Sequence, residues 1–119
     1  MERAQRVDVG IDVPLDADLD ALLAFWREAT GYEVVAEGWP EIRSPGEHLP
    51  RIWLQPVPEP KVGKARVHLD IYLSRAGAAE RQQRLLGLGA TIARPAVEGE
   101  RFIVLADPVG TEFCLCFYD

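Results

Sequence analysis

RVHLDIYL, residues 66–73, alternates apolar and polar side chains, and so does VDVGIDV, residues 7–13. A period of two is typical of a β-strand with one buried face. Each stretch precedes a predicted helix that ends at a glycine, Gly31 in the first half and Gly89 in the second. The glycines are 58 residues apart, and the strands are offset by 60. This spacing predicts that the 119-residue chain contains one unit repeated twice.

The predicted elements follow one order in both halves: a strand, a helix and three further strands. After the opening strand, the first half has a helix from Leu19 that Asp16 or Asp18 caps, a strand over 32–35, one hairpin within 36–50 and a strand over 51–57. The second half has a helix over 78–88, strands over 90–93, 100–106 and 112–117, and a turn at 107–110.

Between the halves the chain is rich in proline, at positions 56, 58 and 60, and continues as KVGK to residue 64. Proline-rich segments act as semi-rigid spacers. We therefore predict one domain over 1–119, built from a first module over 1–58, a linker at about 58–64 and a second module over 65–119.

The composition limits the classes of partner. Thirteen Lys and Arg residues against nineteen Asp and Glu residues give a net charge of −6 and an isoelectric point near 4.9. This balance repels phosphate backbones and anionic lipids, so nucleic acid and membrane surfaces are poor partners. No stretch approaches the roughly 20 apolar residues of a membrane span, and the first residues lack the apolar core of a signal peptide. We expect a cytoplasmic protein.

The two cysteines, Cys114 and Cys116, are two residues apart in one predicted strand. That spacing is too short for good disulfide geometry, and a zinc motif normally needs a second cysteine pair or histidines. The sequence favours two small buried side chains over a redox role.

Alternation assigns the residues of four strands to two faces of the sheets. The helix-side set is apolar: Val7, Val9, Ile11, Val13, Ile52, Leu54, Leu69, Ile71, Leu73, Phe113, Leu115 and Phe117. The opposite set is mixed: Asp8, Gly10, Asp12, Arg51, Trp53, Gln55, His68, Asp70, Tyr72, Glu112, Cys114, Cys116 and Tyr118. A solvated face would carry Lys and Glu of mixed sign instead. Short acids, aromatic walls and one histidine suit the lining of a small-molecule pocket.

Four stretches carry a resemblance to a known family: FWREATGYEVV (25–35), LPRIWLQPVPEPK (49–61), RVHLDIYL (66–73) and LADPVGTEFCLC (105–116). With them the chain resembles the glyoxalase-like branch of the vicinal oxygen chelate superfamily, which includes glyoxalase I, bleomycin-resistance proteins and extradiol dioxygenases. The resemblance implies an α+β fold in which two paired βαβββ modules form a curved mixed-sheet cup with the helices outside. It does not choose the activity.

The resemblance also implies where a metal would bind, because ligands in metal-dependent members come from the first and last strands of each module. His68 and Glu112 occupy those positions in the second module. Asp8 opens the first module, where His, Gln or Glu is more usual, and Arg51, at the fourth position, cannot bind a metal. Gln55 could, but it lies four residues further on. One expectation is therefore a divalent ion, Mn, Fe, Co, Ni, Mg or Zn, held by Asp8, His68 and Glu112; no cofactor at all is equally defensible.

A bound ion would act as a Lewis acid on the vicinal oxygens of a small oxygenated substrate while a carboxylate moves a proton. The implied enzyme is a lyase, an isomerase or a dioxygenase. Glu112 and Asp70 are the candidate catalytic residues, with Asp12 as a third candidate base.

Two metal-free alternatives stay open. In one, the acids of the cup bind a flat or cationic ligand between aromatic walls and sequester it, as the resistance-protein branch does. In the other, His68 and the carboxylates act directly; His68 could also be a structural histidine paired with Glu112 or Asp8. In every case the partner is a small molecule and the resemblance implies a homodimer. The candidate substrate-binding residues are Trp53, Gln55, Tyr72, Arg51 and Asp12.

Overall fold

Two four-stranded mixed sheets, one in each half of the chain, confirm the predicted α+β class. The computed structural model describes residues 1–35 and 38–119. The chain divides into two units, Met1–Pro60 and Lys61–Asp119, and the division falls within the segment predicted as a linker. In the described ranges, no helix has the length and apolar character needed to cross a membrane.

The first unit has the order strand, helix, strand, strand, strand. Its elements are β1 (Asp8–Pro14), α1 (Leu19–Thr30), β2 (Glu33–Val34), β3 (Glu41–Arg43), a short 3-10 turn (Pro45–Glu47) and β4 (Arg51–Val57). The sheet order is β1-β4-β3-β2, with β1 parallel to β4 and the other pairs antiparallel. The hairpin predicted within 36–50 is only partly visible as β3 and its turn into β4, because Ala36 and Glu37 lie outside the described residues.

Helix α1 starts and ends where the sequence predicts. The Asp18 carboxylate accepts a hydrogen bond from the backbone N–H of Ala21 at 3.1 Å, which satisfies one free donor of the first turn. Gly31 closes the helix at a φ of 79°, and its N–H donates to the carbonyl of Arg27 at 2.7 Å. Burial at i, i+3, i+4 and i+7 joins the helix to its sheet through Leu22, Phe25, Trp26 and Ala29.

The second unit repeats this order. Its elements are β5 (Leu69–Leu73), α2 (Arg75–Gly87), β6 (Thr91–Arg94), β7 (Phe102–Ala106) and β8 (Glu112–Phe117). The sheet order is β5-β8-β7-β6, again with one parallel pair, β5 and β8, and antiparallel pairs beyond it. The two units therefore share one topology, as the 58- and 60-residue offsets predict.

The predicted start of the second helix at residue 78 is wrong by three residues. Ser74 caps the helix, and its hydroxyl accepts a hydrogen bond from the N–H of Gly77 at 3.0 Å. The first turn contains Gly77 and little apolar surface, so periodicity alone did not reveal it. Only Ala78 and Leu85 of this helix are buried.

The assignment of strand faces is correct in the strand interiors and wrong at the start of the first strand. The predicted helix-side residues Ile11, Val13, Ile52, Leu54, Phe113 and Leu115 are buried. Val7, however, is 63% exposed. It precedes Asp8, the first paired residue of β1, so it lies outside the sheet.

The predicted turn at 107–110 depends on Asp107, whose side chain is buried. Its Oδ1 accepts hydrogen bonds from the N–H groups of Val109, at 3.0 Å, and Thr111, at 2.8 Å. Gly110 follows at a φ of 94°, a conformation that glycine adopts without steric cost. The carboxylate thus holds the connection that leads into β8.

We expect Asp107→Ala to lower the free energy of unfolding by about 1–3 kcal/mol, because it leaves two part-buried N–H groups without their acceptor. Asp107→Asn retains the oxygen and should cost less. Urea unfolding of the two variants and the parent chain measures the difference. Equal losses for alanine and asparagine would contradict the role of this oxygen.

Candidate functional site

The second unit contains a cavity of about 630 Å³ on the face of its sheet that the sequence analysis assigns to a pocket. Its lining comes from all four strands and from the segment that precedes β5. Four predicted site residues line it: His68, Asp70, Tyr72 and Glu112. The register explains why, because Asp70 pairs with Cys114 and Tyr72 with Cys116 across the parallel strands. His68 and Glu112 each precede the first registered pair by one residue.

Three side chains with different metal-binding atoms lie close together in the lining of this cavity. His68 Nδ1 lies 3.0 Å from Asp70 Oδ1, and the Cys114 thiol forms a hydrogen bond with the same carboxylate. One donor atom from each of these three residues lies within 4.8 Å of the other two. Within residues 1–35 and 38–119 this is the one cluster of three or more His, Cys, Asp or Glu side chains with such geometry. His68 thus pairs with Asp70, rather than with Glu112 or Asp8.

Glu112 has a different partner. Its carboxylate lies 3.5 Å from the Lys61 ammonium group, and about a quarter of its side chain is exposed. It lines the same cavity as His68 but is not a member of the three-residue cluster. A metal ion at Glu112 would therefore have to compete with Lys61 for the carboxylate.

Aromatic side chains form part of the cavity lining. Tyr72 and Tyr118 stack with ring centroids 5.8 Å apart. Phe102, Phe113 and Phe117 also contribute to the lining. Tyr72 and Tyr118 are on the face predicted for them. Phe113 and Phe117 are on the helix side, also as predicted: Phe113 is fully buried, and Arg75 of α2 lies 4.5 Å from the centroid of the Phe117 ring.

Three cations in the lining were not predicted. Lys64, Arg94 and Arg101 all border the cavity, against the acids Asp70 and Glu112. The expectation of an acid-dominated surface therefore does not hold for this cavity. Alternation could not identify Lys64, which lies before β5. It could not identify Arg101 either, because in the predicted strand over 100–106 this residue falls on the same face as the buried Ile103 and Leu105, whereas the observed β7 begins only at Phe102.

Both cysteines are buried, as predicted, and neither forms a disulfide. Burial, followed by the negative charge of Asp70, raises the pKa of Cys114 to about 11. Burial and Asp70 also raise the pKa of Cys116, while a hydrogen bond with Tyr72 acts in the opposite direction. At neutral pH both groups are therefore thiols rather than nucleophilic thiolates.

We expect Cys114 in the Cys116→Ser variant to react slowly with iodoacetamide at pH 8. With a pKa of about 11, only about one thiol in a thousand is ionised at that pH, and the rate should rise about tenfold per pH unit toward pH 10. The same variant in 6 M urea, with EDTA throughout, is the control. Equal rates for folded and unfolded chains at pH 8 would contradict the protection of this thiol.

The first unit brings the remaining predicted residues together on β1 and β4. The parallel register sets Asp8 beside Arg51, Gly10 beside Trp53 and Asp12 beside Gln55. The neighbours Ile11, Val13, Ile52 and Leu54 are buried, so these six residues share the opposite face of the sheet.

Two of these residues already have charged partners. Asp8 Oδ1 lies 3.0 Å from Arg6 Nε. Arg51 donates to Glu47 at 2.7 Å, and Arg43 joins the same carboxylate at 3.1 Å. Arg51 therefore already forms an ion pair, and its guanidinium group has no acceptor atom to offer a metal.

Gly10 makes room for the Trp53 indole. A Cβ atom at Gly10 would lie 3.0 Å from Trp53 Nε1 and 3.1 Å from Cε2. Such contacts are tighter than nine in ten real Cβ contacts, so the ring would have to shift by a few tenths of an ångström to accept a Cβ atom there. Gly10 thereby positions one of the predicted substrate-binding side chains.

We expect Gly10→Ala to displace the Trp53 ring and change the tryptophan emission spectrum. In a Trp53→Phe background the same substitution should leave emission from Trp26 and Trp39 unchanged. Steady-state fluorescence of the four chains tests the coupling. A spectral change of equal size in both backgrounds would show that the alanine acts elsewhere.

Comparison with known proteins agrees with this architecture. A family model described as a glyoxalase-like domain matches residues 8–116. The chain belongs to the glyoxalase-like domain family. No curated protein sequence is significantly similar to it.

Solved structures share the fold at low sequence identity. The fosfomycin resistance protein FosX from Listeria monocytogenes, in a complex with Mn(II) and 1S,2S-dihydroxypropylphosphonic acid, aligns with a TM-score of 0.69 and 19% identity, over 97% of this chain and 90% of that one. FosX from Mesorhizobium loti aligns with a TM-score of 0.71 and 16% identity, over 100% and 95%. A glyoxalase/bleomycin resistance protein/dioxygenase family enzyme from Burkholderia phytofirmans PsJN aligns with a TM-score of 0.72 and 15% identity, over 96% and 98%.

Proposed function

We propose that this protein binds a small oxygenated substrate and acts on it as a metal-assisted enzyme of the lyase or isomerase type. The observation that carries the proposal is the placement of His68 and Glu112 in the lining of one cavity of about 630 Å³. Membership of the glyoxalase-like family and the Mn(II) complex of FosX, a protein of the same fold, support it.

The donor chemistry of this chain fits a divalent ion. Asp8, His68 and Glu112 offer two carboxylates and one imidazole, a set that suits Mn, Fe, Co, Ni, Mg or Zn. The cluster of His68, Asp70 and Cys114 offers a softer set, with a thiol in place of one carboxylate. His68 is common to both sets. We propose the first set because the Cys114 thiol must lose a proton of raised pKa before it can bind a metal.

A bound ion would supply Lewis acidity toward the vicinal oxygens of the substrate. The work of the chain's own residues follows from their contacts. Asp70, 3.0 Å from His68 Nδ1, accepts its proton in the tautomer that leaves Nε2 as the electron-pair donor. Glu112 and Asp70 are the candidate bases, and Asp12 remains a third. Trp53, Gln55, Tyr72, Arg51 and Asp12 are the proposed substrate-binding residues.

Metal analysis of protein purified without chelator tests the proposal. We expect about one divalent ion per chain and a melting temperature that rises when the ion is added back to chelated protein. His68→Gln and Glu112→Gln should each abolish stoichiometric binding. Glu80→Gln, which removes an acid paired with Arg84 on α2, is the matched control and should bind as the parent does.

The ligand set is tested by one further variant. Cys114→Ser should retain the ion, because the proposed set does not include the thiol. Loss of the ion in Cys114→Ser with retention in Glu112→Gln would overturn the proposed ligands in favour of the softer set. Absence of every one of the six metals, with no thermal shift, would overturn the metal-assisted function.

The second candidate function is metal-free sequestration of a ligand. The stacked pair of Tyr72 and Tyr118 favours it, because an aromatic wall binds flat ligands without any reaction. Titration of the protein and its variants with a candidate small-molecule ligand would distinguish the two functions by the affinity that each variant retains. If Trp53→Ala abolishes binding while Glu112→Ala leaves it unchanged, aromatic side chains supply most of the affinity. The metal-assisted function predicts instead that Glu112→Ala weakens binding.

A cytoplasmic homodimer remains part of the proposal, and light scattering of the purified chain measures its mass.

A further inference from the structure

The charges of the chain are unevenly distributed between its two units. Residues 1–60 contain five Lys and Arg residues and twelve Asp and Glu residues. Residues 61–119 contain eight and seven. The acidic balance of the protein therefore belongs to the first unit, and the second unit, which holds the cavity, has a small excess of positive charge.

Two charged groups of the cavity lining are already neutralised by an ion pair. Arg94 donates to both carboxylate oxygens of Glu100, at 2.8 and 2.7 Å, and the Glu112 carboxylate lies 3.5 Å from the Lys61 ammonium group. Asp70 is hydrogen-bonded to a neutral imidazole and a neutral thiol, those of His68 and Cys114, and therefore keeps its negative charge. One negative charge in the lining thus faces the cations that have no carboxylate partner.

Two cations of the lining have no such partner. Among the residues that the structure describes, no carboxylate forms an ion pair with Lys64 or Arg101. Arg101 donates to the carbonyl of Tyr118 at 3.4 Å, a neutral acceptor that leaves the guanidinium charge uncompensated. Lys64 lies in the segment before β5 and borders the same cavity.

The same cavity has an extensive aromatic surface. Tyr118 accepts the Arg101 hydrogen bond through its backbone and stacks on Tyr72 through its ring. Phe102, which pairs with Cys116 on the same face of the sheet, adds a third ring to this surface. A ligand that satisfies both parts of the lining combines an oxyanion with a flat apolar body.

We propose that the substrate of this site is an organic anion, an aromatic or similarly flat molecule whose carboxylate or phosphonate group is bound by Lys64 and Arg101. The inference rests on the proposed function in taking the cavity of the second unit as the substrate site. It reverses the charge of the cationic ligand that the sequence alone suggested. Arg101 supplies a planar fork of donors for the oxyanion, and Lys64 supplies a second positive charge.

Four small probes of matched shape test the charge requirement. Benzoate and phenylphosphonate are anions, benzamide is a neutral analogue, and benzamidine is a cation. Binding to the full chain is measured by ligand-detected NMR and calorimetry in buffer with EDTA, so that no divalent metal contributes. We expect either anion to bind at least about tenfold more tightly than benzamide, with benzamidine weakest, and the affinity to fall as salt is added. The better of the two anions identifies the preferred head group.

Three single variants assign the effect to residues. Lys64→Gln and Arg101→Gln should each weaken binding of the preferred anion at least about fivefold and leave benzamide unchanged. Arg66→Gln, which removes an equal charge from an exposed residue outside the lining, should leave both affinities unchanged. Circular dichroism of each variant verifies that the fold is retained.

Several outcomes would overturn the inference: no detectable binding of either anion, equal affinity for benzamide, tighter binding of benzamidine, or equal losses in all three variants. These outcomes are separate from failure of the metal-assisted function, because the probes are measured without metal. A chain that binds a divalent ion but none of the anions loses only this inference. A chain that binds an anion but no metal loses only the metal-assisted chemistry.

Discussion

Backbone hydrogen bonds between the parallel strands β5 and β8 set Asp70 beside Cys114 and Tyr72 beside Cys116. This register determines which side chains meet on the face that lines the cavity. A shift of one residue would turn every one of them to the other face, because side chains alternate along a strand. The buried Leu105, Phe113 and Leu115 oppose such a shift, since it would expose them to water.

The Asp107 turn supports the same register from the end of β7. Its carboxylate holds the N–H groups of Val109 and Thr111, and Glu112 begins β8 one residue later. The Glu112 carboxylate, which the proposed function assigns to a metal, therefore follows a turn that the buried Asp107 side chain holds by hydrogen bonds. In the first unit, the parallel register of β1 and β4 has the equivalent role, with the Trp53 ring seated against Gly10.

Strand interiors and the first helix were predictable because each depends on local physics. Period-two alternation placed Ile52 and Leu54 under the helix, and the Asp18 and Gly31 caps gave the bounds of α1. The errors lie where a local signal is weak or is overridden by pairing. The Ser74 cap starts α2 earlier than the apolar residues of the helix indicate, and Val7 stays exposed because pairing begins only at Asp8.

By itself the sequence determined the repeated βαβββ order, the α+β class and the membership of His68, Asp70, Tyr72 and Glu112 in a single polar face, because periodicity and turn chemistry are encoded locally. Only the tertiary structure decided which charges remain available in the cavity. Lys61 neutralises Glu112 and Glu100 neutralises Arg94, whereas Lys64 and Arg101 border the lining without a carboxylate partner in the described ranges. Those pairings join residues from different strands and loops, and a one-dimensional pattern cannot specify distances between them.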